Sequence, residues 1–377
     1  MKIGINGYEA VVPRFGYDKS GLPVRVGSAE FCYQLLNGIS LDKINSYTIF
    51  LPVNPSKDLP ASSENWKYKV FNGKLWTLLQ LSKKLINSNE KLDIFFSPTH
   101  YSPVVTKAPS IISILDVSYL KFPHLFKKKD LLMLKYWGRF SISKARKIIT
   151  ISESSKNDII NLYKVSPQKI AVIYPGIEAE KTKTMIASNL SEKFGISKEF
   201  ILYVGTLQPR KNVKRLIEAF SKIENKEVEL VLIGKKGWMY EDIISAPEKY
   251  DVKDRVKFFH DVSDEDLPSF YSNCKFFVLA SLYEGFGLPV LEAMKYDAPV
   301  ITSNVSSLPE AGGDAALYVD PENVDDIVLK MNKLDKDENL RDSLRKKGKD
   351  QVKKFSWEKA AKETIKIFEE VANVSKN

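Results

Sequence analysis

The sequence predicts two doubly wound, parallel-sheet α/β domains in series. Three observations carry that prediction. The chain has 377 residues, room for about two domains at roughly 100–200 residues each. Short β-rich apolar runs alternate with amphipathic helical stretches along its whole length. Several of those runs are almost continuously apolar, the pattern of strands covered by helices on both faces.

In the first half, strands are predicted at residues 2–6, 47–53, 92–97, 111–117, 147–151 and 170–174. Helices are predicted between them at 28–39, 75–86, 128–145 and 154–163. A Tyr-Pro-Gly turn at 174–176 closes this block, and the polar, patternless stretch 178–192 is the predicted linker. The domains therefore span 1–178 and 179–356. In the second half, strands are predicted at 200–204, 228–233, 256–259, 276–280, 299–302 and 317–319, and helices at 213–223, 264–272, 288–296 and 324–334. An amphipathic helix at 356–374, with Trp357 near its start, ends the pattern. Two such domains imply a cleft at the carboxyl ends of their sheets, where α/β folds bind ligands.

Composition excludes several classes. Hydrophobic residues make up 44% and charged residues 28%, so the chain is neither disordered nor fibrous. The opening MKIGINGYEAVV runs straight into a strand and does not resemble a signal peptide. No apolar stretch approaches the ~20 residues needed to cross a bilayer. Two distant cysteines, Cys32 and Cys274, argue against a disulfide framework and fit the cytoplasm. The three histidines show no metal-ligand spacing.

The net charge of +10 is unevenly placed. Residues 1–178 hold 25 Lys and Arg against 13 Asp and Glu, so the excess lies wholly in the first half. That half is expected to prefer an anionic partner or surface. Residues 121–147 alone hold nine cations, interleaved with Phe122, Phe126, Tyr136, Trp137 and Phe140. This pattern suits anionic lipid headgroups or an anionic lipid-linked acceptor. It equally fits an ordinary amphipathic helix with its aromatics in the core. No nucleic-acid recognition motif accompanies the charge.

Two segments carry candidate chemistry. In GTLQPRKN, residues 205–212, a strand ends, Gly205 and Thr206 turn, and Arg210 and Lys211 follow side by side. Asn212 is placed to cap the next helix through its side-chain oxygen. Adjacent cations beside a helix N-terminus suit a diphosphate, Arg as a fork and Lys as a point charge. The plainer reading is a solvated basic turn. In EGFGLPVLE, residues 284–292, Gly285 and Gly287 flank Phe286 and allow close backbone approach, and Pro289 opens a helix. The N–H groups of Gly287 and Leu288 are then free to face a ligand. Glu284 on the loop and Glu292 one turn into the helix are too far apart for a shared-proton pair. They suit hydroxyls of a sugar and a ribose.

These segments are very similar to the donor-binding pattern of the family 4 (group 1) retaining glycosyltransferases, mannosyltransferase-like members included; Glu284 and Glu292 form its E-x7-E motif. ILDVSYLKFP at 114–123 resembles the family's H-D loop, TISESSK at 150–156 its T-x-S-x-x-S turn, VIYPGI at 172–177 the entry to its linker, and FSW at 355–357 the start of its last helix. The resemblance implies a GT-B fold, with the last helix (about 357–377) crossing back to the first, acceptor-binding domain. It implies a metal-independent hexosyl transfer, mannose or glucose type, from a UDP- or GDP-sugar to a glycan or lipid-linked acceptor. By it, Arg210 and Lys211 neutralise the diphosphate, Glu284 meets the donor sugar and Glu292 the ribose. Gly285, Phe286, Gly287 and Leu288 offer backbone, Val262 holds the base, and Gly27 approaches the phosphate from the first domain. The resemblance also makes Asp116 a catalytic candidate.

The sequence departs from the pattern at Leu115, where the family carries His. His100, in the loop SPTHYSP at 97–103, is a candidate substitute. The Asp264-Glu265-Asp266 run resembles a metal-diphosphate motif, but Ser263 with Asp266 fits a helix cap better, and no metal is expected. An oxidoreductase lacks its G-x-G-x-x-G turn here. A non-catalytic nucleotide-sugar-binding module rests on Leu115 alone.

Overall fold

A computed structural model describes residues 1–12, 16–177 and 190–374. Most of the predicted linker, and the domain limit at 178/179, lie outside them. The chain divides into one unit of Met1–Gly176 with Ser356–Asn377, and a second of Ile177–Phe355.

The first unit is a seven-stranded sheet of β1 (Lys2–Asn6), β2 (Ser46–Leu51), β3 (Trp66–Val70), β4 (Ile94–Ser97), β5 (Ser110–Ser113), β6 (Lys147–Thr150) and β7 (Ile170–Val172). Their order is β3-β2-β1-β4-β5-β6-β7, with every neighbouring pair parallel. Its main helices are α1 (Ser28–Ile39), α2 (Leu81–Ile86, preceded by a π-helical turn at Trp76–Gln80), α3 (Lys128–Lys144) and α4 (Glu153–Tyr163). The central strands are buried on both faces, as their unbroken apolar runs require. β3 escaped the sequence reading because it is an edge strand, Trp-Lys-Tyr-Lys-Val, with alternating character. Its lysines guard an otherwise open edge, while Trp66 packs inward on Tyr47. The run predicted at 111–117 ends as a strand at Ser113, and a short helix follows at Ser118–Lys121.

The second unit repeats the design with β8 (Phe200–Val204), β9 (Glu229–Ile233), β10 (Val256–Phe259), β11 (Phe276–Leu279), β12 (Val300–Ser303) and β13 (Ala316–Val319). The order is β10-β9-β8-β11-β12-β13, again all parallel. Its helices include α5 (Val213–Lys222), α6 (Leu267–Asn273), α7 (Leu288–Lys295), α8 (Leu308–Gly312), α9 (Val324–Lys336) and α10 (Glu338–Val352). α10 was missed from sequence because it is so highly charged: only Leu344, Gly348 and Gln351 are buried. α6 begins at Leu267 with no side-chain cap, and not at Asp264: residues 264–266 form a turn in which Ser263 and Asp266 bond to each other. The Asp266 N–H donates to Ser263 Oγ at 3.2 Å, and Ser263 Oγ donates to Asp266 Oδ2 at 2.6 Å.

The terminal helix, Trp357–Val374, belongs to the first unit and lies along α1. Trp357 meets Phe31 edge to face at 5.8 Å, and Phe368 meets Phe96 at 5.2 Å. Gly38 lets the two helices approach: a Cβ there would lie 2.8 Å from Ala361 Cβ and 3.2 Å from Trp357 O. Helix propensity alone favours Gly38→Ala by about 1 kcal/mol. Overpacking opposes it by about 1–3 kcal/mol. Gly38→Ala is therefore expected to lower Tm in thermal unfolding; a rise would mean the helices part at no cost.

Candidate functional site

In the second unit the strand order reverses between β8 and β11, and loops leaving the carboxyl ends of those adjacent strands form the natural ligand position of such a sheet. The loop after β8 carries Gly205, Thr206 and a 3-10 turn, Pro209–Lys211. The loop after β11 carries Glu284, Gly285 and Phe286 and runs into α7. Topology thus brings together residues more than seventy positions apart.

Arg210, Lys211 and Glu284 meet there. Glu284 Oε1 accepts from Lys211 Nζ at 2.6 Å and from Ser281 Oγ at 2.7 Å, and Oε2 accepts from Arg210 Nη1 at 3.1 Å. Arg210 also donates to the Tyr283 carbonyl, and the Leu282 N–H donates to the Arg210 carbonyl at 3.0 Å, so the loops are tied at backbone level as well. All three side chains are nearly buried. Burial by itself pushes the Glu284 carboxyl up. The Lys211 and Arg210 charges, with hydrogen bonds from Lys211 and Ser281, overcome it and hold the pKa at about 2. Both cations thus converge on one carboxylate beside the loop.

Asn212 does not cap α5 as expected. It sits in the left-handed region (φ 61°) and its carboxamide is used elsewhere. Nδ2 donates to the carbonyls of Ala280 at 2.9 Å and Pro321 at 2.7 Å, and Oδ1 accepts from Arg215. The residue braces the end of β11.

Gly287 adopts φ 111°, and a Cβ there would lie 2.8 Å from Leu308 Cδ2, so only glycine fits. Leu288 then opens α7 with an N–H that has no intrahelical acceptor. Phe286 is buried, its ring edge to face with Phe355 at 5.3 Å. Glu292, half-buried inside α7, accepts from the Tyr271 hydroxyl at 2.9 Å. Val262 is half-buried in the loop after β10.

Sequence reasoning missed a set of hydroxyls from the end of β12 and the turn after it. Thr302 Oγ1 donates to Leu279 O at 3.0 Å and Ser303 Oγ to Ser281 O at 2.8 Å. Ser306 Oγ accepts from the Glu284 N–H at 3.0 Å, and Ser307 Oγ shares its one proton between Glu284 O and Phe286 O, each at 2.9 Å. The signal was present: small hydroxyl residues crowd the end of a buried strand just before a Pro-led helix.

The first unit holds the remaining candidates. Gly27 precedes α1 at φ 58° with open space where a Cβ would be. His100, in the loop after β4, has Nε2 3.2 Å from the Asp116 carbonyl. A carbonyl only accepts, so that nitrogen carries a proton. The imidazole thus adjoins the residue after Leu115, whose own side chain is buried. Asp116 Oδ1 accepts from the Ser118 N–H at 2.8 Å and hydroxyl at 2.7 Å, which caps the short helix that follows. Asp266, the last acid of the Asp264–Asp266 run, is occupied by Lys193 at 2.6 Å as well as by the Ser263 hydroxyl. Among the described residues no group of three or more His, Cys, Asp or Glu is placed to hold a metal.

Residues 187–351 match the model of the glycosyl transferases group 1, and residues 50–181 that of glycosyltransferase family 4. The O-antigen chain mannosyltransferase B of Escherichia coli is 31% identical over 281 residues, covering 73% of this chain and 74% of that protein. The chain belongs to the group 1 glycosyl transferases. A serotype-specific mannosyltransferase, WbdA of Escherichia coli, is 33% identical over 60% of this chain, which spans only 28% of that larger protein. The crystal structure of Anabaena HepE in complex with UDP-glucose superposes with a TM-score of 0.73 at 18% identity, over 98% of this chain and all of that one. It shares the GT-B fold. The chain is a glycosyltransferase whose two parallel sheets are those of that fold.

The Glu284 carboxyl titrates near 2 in the fold against 4.5 in the open chain. Its stabilising contribution is full above about pH 4.5 and is lost as pH falls toward 2. The Tm difference between wild type and Glu284→Gln should be largest above pH 4.5 and shrink below it. A gap that stays constant down to pH 2.5 would show that the ion trio does not form.

Proposed function

We propose that the protein is a retaining, metal-independent hexosyltransferase. It moves mannose, or glucose as the second choice, from a UDP- or GDP-sugar to a glycan or lipid-linked acceptor in cell-surface polysaccharide or glycolipid synthesis. The observation that carries this reading is the Arg210–Lys211–Glu284 trio at the reversal point of the second sheet. The mannosyltransferase name of the 31% identical relative supports the choice of sugar.

In this reading Arg210 and Lys211 face the diphosphate, backed by the α7 N-terminus with the N–H groups of Gly287 and Leu288. Gly205, Thr206, Gly285 and Phe286 shape the pocket by backbone, Glu284 contacts the donor sugar, Glu292 the ribose hydroxyls and Val262 the base. Gly27, Asp116 and His100 serve from the first unit. The bond between the anomeric carbon and the diphosphate oxygen breaks, with its electron pair left on the phosphate. The acceptor oxygen bonds to that carbon on the same face and passes its proton to the departing phosphate oxygen. Preorganised cations lower the barrier because the departing oxygens gain negative charge in the transition state.

Leu115 favours a second reading, a module that binds nucleotide sugar without transferring it. Incubation with UDP- and GDP-hexoses and measurement of released nucleoside diphosphate separates the two. Release or transfer is expected in wild type and a loss of roughly 100-fold or more in Lys211→Ala. Tight binding of a donor with no release establishes the module instead. Unchanged transfer in both Lys211→Ala and Glu284→Ala refutes the site.

We also propose a place for the protein at the cytoplasmic face of a membrane, held by α3. Along that helix Lys128, Leu132, Lys135, Tyr136 and Arg139 are exposed on one side, while Leu131, Leu134 and Ile142 pack inward. Leu132 and Tyr136 are 58% and 69% exposed, an apolar pair flanked by cations. Among the described residues no helix is long and apolar enough to cross a membrane. Sedimentation with anionic vesicles should show salt-sensitive binding. The triple charge reversal Lys128→Glu, Lys135→Glu, Arg139→Glu should weaken it by roughly 100-fold, at about 1 kcal/mol per basic residue. Equal binding to neutral vesicles would refute the surface.

A further inference from the structure

We infer that the turn after β12 is the template that positions Glu284, with Ser306 as its positioning residue; this rests on the sugar-transfer reading above. Ser306 stands at φ 54°, in the left-handed region. Glycine enters that region freely, and a serine is strained there. The strained backbone delivers a specific contact, because Ser306 Oγ accepts the Glu284 N–H at 3.0 Å. Its neighbour Ser307, fully buried, shares its hydroxyl proton between the Glu284 carbonyl at 2.9 Å and that of Phe286. Adjacent hydroxyls of one turn therefore hold both backbone polar groups of Glu284.

The side chain of Glu284 is fixed separately, by Arg210, Lys211 and Ser281. The carboxylate is thus located from two sides: its charge partners on the β8 loop and its backbone clamp after β12. Ser303, which donates to Ser281 O, ties the start of the same loop to the same strand end. Removing the Ser306 hydroxyl releases the Glu284 N–H while leaving the ion trio in place. The Glu284 backbone then loses one of its two fixed points, and the carboxylate is held from the β8 loop alone. A small misplacement of a group that must meet the reacting sugar is costly to the rate.

Two variants separate positioning from folding. Ser306→Gly removes the hydroxyl and relieves the backbone. Ser306→Thr keeps the hydroxyl but adds a β-branch, which makes a positive φ more unfavourable. Three readouts are compared with wild type: Tm, kcat and KM for the nucleotide sugar, and the affinity of the nucleotide sugar divided by that of the bare nucleoside diphosphate. Ser306→Gly should hold or raise Tm, yet lower kcat and the affinity ratio about tenfold, with the nucleoside diphosphate bound as in wild type. Ser306→Thr should lower Tm by a few degrees. Its kcat per folded molecule should stay within about twofold of wild type, since the hydroxyl contact is kept. Activity and stability then rank the variants in opposite orders, which a purely structural serine does not produce. Wild-type kcat and affinity ratio in Ser306→Gly, with Lys211→Ala inactive, overturn the inference and leave the functional reading standing. A wild-type protein that neither binds nor transfers any sugar from a nucleotide sugar overturns both.

Discussion

One carboxylate between two cations organises the second unit. Glu284 alone would resist burial, and Arg210 and Lys211 alone would repel each other across a nearly dry loop. Together they hold the loops after β8 and β11 in one place. Breaking such a trio from one side strands a charge, at a cost of about 3–5 kcal/mol. The arrangement is therefore both a structural tie and a fixed pair of oriented cations. An anionic ligand arriving there meets cations already oriented by a carboxylate.

The position of that trio follows from strand order. Both sheets run outward in two directions from a central pair, β1 and β4 in one, β8 and β11 in the other. At such a reversal the loops diverge to opposite faces and leave a crevice that no crossover helix covers. Neighbouring strands supply the supports. Asn212 reaches across to the end of β11, and the hydroxyls after β12 fasten the loop from its other flank. The site is less a set of exposed side chains than a loop clamped on three sides.

The fold was largely legible because apolar runs, Pro and Gly are local signals. β3 and α10 were not: β3 alternates lysines with apolar residues at a sheet edge, and α10 is mostly charged with its few inward contacts on one narrow face. At the site, the residue types of Arg210, Lys211 and Glu284 were readable, but their mutual pairing was not. That pairing depends on β8 and β11 lying side by side, which no short window contains. Asn212 looked like a cap because Asn often is one; long-range acceptors at Ala280 and Pro321 claimed its carboxamide instead. Ser306 and Ser307 showed in the sequence only as hydroxyls crowding a strand end; their partners are backbone atoms, which residue type does not reveal.

The first unit is assembled from both ends of the chain, with all of residues 177–355 lying between α1 and the terminal helix that packs on it. On the ribosome, the seat formed by Phe31, Gly38 and Phe96 is complete long before its occupant is made. The second unit is contiguous and closes its own core first. Maturation of the first therefore waits for the last helix, and a truncation that removes only Trp357–Val374 would leave an apolar trough open to chaperones and proteases.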